Sequence, residues 1–168
     1  MTVLARLPPV LLVALMLHTA VLPQVRVLGV APELLLLLGI ATGIVAGPER
    51  GALVGFAAGL LADSLLQTPF GLSALTYSIV GHLAGVLQAT VPHVGLWVPT
   101  STAAVASAAG VMLFGVLGAV LGEEQLLGSR LLLVIVVVAV LNGLLLPLVA
   151  RPVRWAVADE APTGMAHR

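Results

Sequence analysis

Six apolar runs follow one another with little polar sequence between them, at about 6–22, 31–46, 51–67, 71–91, 97–121 and 130–150. Each holds roughly 16–25 residues, against the ~20 that a helix needs to cross a ~30 Å hydrocarbon core. Lipid offers no partner to an open N–H or C=O, so such runs are expected as helices, with every backbone bond made inside the segment. Charged residues make up 8% of the chain, where a soluble domain carries about 25%. The expected fold is all-α: a polytopic integral membrane protein, a six-helix transmembrane bundle over residues 1–158, with a short polar cytoplasmic tail at 159–168.

The connections are short. Gly47-Pro48-Glu49-Arg50 closes the second run onto the third, and Gln67-Thr68-Pro69-Phe70-Gly71 closes the third onto the fourth. Turns of this kind force neighbouring helices to be antiparallel. With the amino terminus inside, Arg6, Arg50, Arg151, Arg154 and Arg168 fall on the cytoplasmic side, and Arg26, Arg130, Glu123 and Glu124 outside. That bias predicts that both termini are cytoplasmic. His18-Thr19-Ala20 is a poor cleavage site, so the first run reads as a membrane helix and not as a signal peptide.

Several chemistries are set aside. Seven basic and seven acidic residues give no net charge and no basic block for nucleic acid. Cysteine is absent, and His18, His93 and His167 share no metal-ligand spacing. No nucleophile, base and orienting acid form a set, and the glycines lie in helices, not in a phosphate loop. No enzyme activity, cofactor or metal is expected.

The third run carries the strongest pattern. Gly51, Gly55, Gly59 and Asp63 recur every fourth residue, so they share about 120° of one helical face. Without a hydrophobic force between helices in lipid, small residues that let backbones approach are the usual route to association. The stripe is therefore a packing surface, either inside this bundle or toward a partner's helix. Asp63 is an intramembrane carboxylate, a functional marker by default. It lies only ~6 Å below the end of its helix, facing the start of the fourth. Hydrogen bonds from the free N–H groups near Gly71 to Ala74, or from Ser73, would make it a clasp. An ion or proton site rests on Asp63 alone.

His82, between Gly81 and Gly85, is ~16 Å deep and ~10 Å out of level with Asp63. It is expected as a buried neutral histidine bonded to a neighbouring helix. Asn142 is likewise near mid-bilayer, with interhelical hydrogen bonding and a Pro147 kink as its expected roles. Glu33, just after Pro32, fits a first helical turn where an acid complements the dipole.

Taken together, Pro32, Gly51, Gly55-Phe56, Gly59-Leu60-Leu61-Ala62-Asp63, Pro69 to Leu75 and Gly81-His82-Leu83-Ala84-Gly85 resemble the MreD family of the bacterial rod-shape and cell-elongation machinery. The pattern covers about residues 30–90, and His82 stands where the family carries an aromatic. The resemblance implies a non-enzymatic scaffold that helps maintain cell shape and organise peptidoglycan synthesis. Its implied partners are MreC, RodA and a class B penicillin-binding protein, with a link to MreB filaments inside the cell, beside the lipid bilayer itself. It also implies a general likeness to the substrate-binding subunits of energy-coupling-factor vitamin transporters. A small-molecule-binding subunit of that kind is the competing function. It needs convergent polar groups, whereas His18, Asp63, His82 and Asn142 are expected at scattered depths, and the first helix lacks an Ala-x-x-x-Ala stripe.

Overall fold

The computed structural model describes residues 3–21, 24–65, 69–91, 95 and 97–157. The tail at 159–168 with His167 and Arg168, His93, and the loop residues Gln67 and Thr68 lie outside the described residues. Among those described, six α-helices follow in order: α1 (Val3–Ala20), α2 (Leu34–Ala46), α3 (Pro48–Asp63), α4 (Leu72–Thr90), α5 (Trp97–Val120) and α6 (Leu131–Val157). A 3-10 turn at Glu124–Leu127 links the last two.

Helix α2 is the axis of the bundle and touches each of the other five. Residues Leu34 through Gly43 are all buried. A helix that is apolar on every side is stable only when enclosed, and here protein encloses it on all sides. At 13 residues it is ~20 Å long, too short to cross the hydrocarbon core alone. Three helices are long and apolar enough to do so, namely α4, α5 and α6. Six spans of similar length were expected. The difference lies in α2, which begins only at Leu34 after a non-helical stretch over residues 25–33 and is itself shielded from lipid by the helices around it. Helix α6 also continues to Val157, beyond the end expected at 150, and passes through Pro147 and Pro152. Proline is tolerated in membrane helices where neighbouring groups re-satisfy the freed carbonyls.

Glycine brings α2, α3 and α4 into backbone contact. A Cβ on Gly51 would lie 2.5 Å from the Gly43 Cα and 2.5 Å from the Gly81 carbonyl oxygen. One on Gly39 would lie 2.8 Å from the Gly55 Cα, and one on Gly85 would lie 2.6 Å from the Pro48 Cα. On Gly59 it would meet the Ala74 nitrogen and the Ser73 carbonyl oxygen, both at 2.5 Å. Carbon atoms in contact sit about 3.5–4.0 Å apart, so none of these positions has room for a side chain. Gly39 and Gly43 repeat the four-residue spacing on α2, and the three glycine faces meet along one seam. The turn between α2 and α3 uses Gly47 at φ +95°, followed by Pro48 at the first helical position. That positive φ is open to glycine, and the proline matches the helical φ of a first turn.

Leucine at Gly55 or Gly59 is therefore expected to cost at least about 1–3 kcal/mol through overpacking. Leu53 on the same helix is 71% exposed, and Leu53→Ala should stay within about 0.5 kcal/mol of the parent. Thermal unfolding in detergent, followed by tryptophan fluorescence, separates the two. Equal stability of all three variants would show that the seam is not tight.

Candidate functional site

Two polar clusters are built into this frame. The first closes the turn between α3 and α4. Asp63 Oδ2 accepts hydrogen bonds from the Gly71 N–H at 2.9 Å and the Ala74 N–H at 3.2 Å, and Oδ1 accepts one from the Ser73 N–H at 3.0 Å. These donors are the otherwise unpaired amides of the α4 N-terminus, where the helix dipole favours negative charge. Gly71, at φ +98°, turns the chain so that its own N–H points back at the carboxylate. Asp63 is a clasp between two helices, and both its oxygens are engaged.

The second cluster lies deeper. Asn142, fully buried on α6, sits ~16 Å along that helix from Leu131. Its Nδ2 donates to Ser107 Oγ of α5 at 3.1 Å and to the Glu33 carbonyl oxygen at 3.3 Å. Its Oδ1 accepts from the Glu33 N–H at 3.2 Å. The side-chain amide thus pairs with both backbone groups of the residue that opens α2. Glu33 is the N-cap of α2, one position before the first turn expected for it, and makes no side-chain cap bond. Its carboxylate instead turns sideways, where Oε1 accepts from the Tyr77 hydroxyl at 2.7 Å. Oε2 lies 4.0 Å from His18 Nε2 of α1. One residue therefore ties α2 to α1, α4 and α6, and reaches α5 through Asn142.

A cavity of about 300 Å³ opens beside this junction, with Glu33 and Tyr77 among otherwise apolar walls that include Leu36, Phe114, Val134 and Val138. The polar groups are accordingly less scattered than the sequence suggests, since His18 and Asn142 meet on Glu33. Asp63 stays apart in its own clasp. His82 is exposed on α4, which corrects its expected burial. The buried face of α4 runs through Ser73, Tyr77, Gly81, Ala84, Gly85 and Gln88, and His82 falls one step of ~100° off it.

The glycines singled out in sequence occupy the seam, with Gly51, Gly55, Gly59, Gly81 and Gly85 all buried within the chain. The face they form is filled by α2 and α4, so it has no room for a partner's helix. Gly71 serves the clasp turn. Sequence reasoning missed Glu33 as a junction, together with Tyr77 and Ser107. Among the described residues no group of three or more His, Cys, Asp or Glu is placed to hold a metal ion.

Asp63→Asn keeps the shape but sets an NH2 group against amide donors, for an expected loss of about 1–3 kcal/mol. Asn142→Ala leaves the Glu33 amide and the Ser107 hydroxyl without this partner, for about 1–2 kcal/mol in a membrane setting. His82→Ala should change stability by less than about 0.5 kcal/mol. Unfolding curves of the purified variants check the order, and an intact Asp63→Asn protein would dismiss the clasp.

Comparison with known proteins gives one result at family level. The family described as rod shape-determining protein MreD matches residues 2–151. No curated protein and no solved structure matches the chain, so the expected likeness to energy-coupling-factor subunits gains no support. The chain belongs to the MreD family: it is a multi-pass helical membrane protein of rod-shape determination, associated with the cell-elongation machinery.

Proposed function

We propose that this MreD-family protein is a non-enzymatic scaffold that holds the transmembrane helices of other elongation proteins, among them MreC, RodA and a class B penicillin-binding protein, with MreB linked on the inner side. In this reading all six helices lie within the membrane thickness and both termini are cytoplasmic. The observation that carries it is how the surface is divided. The glycine faces, Asp63, Glu33 and Asn142 are engaged inside the chain, while many large apolar side chains face outward. On α6, Leu132, Val136, Val140, Leu144 and Leu148 recur every fourth residue and are each 54–75% exposed. They form a ridge along the outer face of a helix already long enough to span. A rigid body with apolar ridges suits helix-to-helix recognition within the bilayer.

Purification of the tagged protein from native membranes should recover MreC and RodA, and failure to recover either counts heavily against the scaffold. The double variant Val140→Trp with Leu144→Trp alters the ridge without touching the seam. It should lower partner recovery at unchanged protein level, and unchanged recovery would exclude this ridge as the contact.

The cavity beside Glu33 and Tyr77 favours a second reading, in which the chain binds a small molecule. Its volume reaches only the lower end of the ~300–1,000 Å³ typical of ligand sites. The two polar groups that line it also bond each other. A vitamin that stabilised the purified protein by several degrees would favour this reading over the scaffold.

A further inference from the structure

Helix α1 packs on the core through Leu7, Val10, Leu11, Ala14 and Leu15 and leaves its other face open. Leu12, Val13, Met16 and Leu17 are all exposed, and among its described residues only Ala14 is buried. Polar contacts hold it near its two ends. Near the start, the Arg6 guanidinium stacks 5.1 Å from the centre of the Trp155 ring, and its Nη1 donates to the Trp155 carbonyl oxygen at 3.3 Å. Near the far end stands the His18–Glu33 pair at 4.0 Å.

Between these fixed ends lies a cleft of about 590 Å³ bounded by α1, α2 and α6, with Val13, Leu17, Leu38, Val149 and Trp155 among its walls. Its lining is apolar apart from one cation, Arg151. Arg151 is exposed and makes no hydrogen bond or ion pair among the described residues. It lies at the same end of the bundle as Arg6, Arg154 and Trp155, where an aromatic ring favours headgroup depth.

We propose that this cleft is a binding site for one anionic phospholipid, with an acyl chain between α1 and α6 and the phosphate on Arg151. Three features select this occupant. Hydrocarbon walls inside a bilayer exclude water and leave hydrocarbon to fill the space. The one cation in the cleft's lining, Arg151, is exposed at the end of the bundle that also carries Trp155. Its planar guanidinium offers a fork of donors that matches two phosphate oxygens. Basic pockets between helices at a membrane face hold anionic headgroups by this combination. The bound chain would cover Val13 and Leu17, which α1 leaves exposed on the cleft side. The site is independent of the scaffold reading and survives or fails separately from it.

Native mass spectrometry of the full chain, with phosphatidylglycerol and phosphatidylcholine of identical chains in competition, tests the proposal. The expected result is about a fivefold preference for phosphatidylglycerol, the increment of one interfacial arginine. Arg151→Gln should abolish that preference, whereas Arg130→Gln at the opposite end should preserve it. Equal binding of the two lipids, or a preference that persists in Arg151→Gln, overturns the assignment. Thermal stability adds a second arm, in which phosphatidylglycerol raises the unfolding temperature and inorganic phosphate does not. An equal rise with phosphate alone would show that the acyl chain has no part. A photoreactive residue at Val13 should form lipid adducts in cells, and a protein adduct in their place would assign the cleft to a partner's helix.

Discussion

Backbone-to-backbone packing of α2, α3 and α4 is the constraint on which the rest of this structure depends. Hydrocarbon surrounds the chain, so burying leucine against leucine gains little over leaving it in lipid. What binds helices here is contact at distances that side chains would prevent. Gly43, Gly51 and Gly81 meet with no room for a Cβ on any of them. Every helix in this trio is set by its neighbours, and the others are arranged around it.

The polar clusters do a different job. Close packing of near-featureless glycine and leucine faces leaves register weakly specified, because a slide of one turn replaces one small face with another. Asp63 fixes α3 against the start of α4 with three directional bonds. Glu33 and Asn142 fix the depth at which α2 begins, since the amide of one side chain pairs with both backbone groups of a single residue. Such bonds contribute only about 0.6–2 kcal/mol each in a membrane. Their value lies in making one register better than its neighbours.

How much of this was legible follows from the range of each interaction. The stripe of Gly51, Gly55 and Gly59 and the clasp at Asp63 are local, with the aspartate only eight to eleven residues from its donors. Helical period and depth were enough to find them. The same period would have found Gly39 and Gly43 on α2, and would have placed His82 off the face defined by Gly81 and Gly85. The Glu33 junction could not be found in this way, because Asn142 is 109 residues distant in sequence and nothing local records the pairing. Helix α2 begins beside Asn142, well along α6, and its enclosure by five other helices is likewise not recorded in its own composition.

Enclosure of α2 also decides where the protein can meet anything else. The shortest helices carry the most intimate contacts, while the longest, α5 and α6, have two-thirds of their most apolar windows unburied. Under the proposed scaffold function, recognition is thereby displaced from the residues that look most distinctive in sequence. Asp63 and the α3 glycines are consumed in building the body, whereas plain leucines and valines on α6 carry the outer surface. Substitution of a distinctive residue would disturb function through the fold, and substitution of a plain outward one would disturb it through contact. In the proposed scaffold role, such a protein presents shape, set by its glycine seam, to the membrane neighbours that fit its outer ridges.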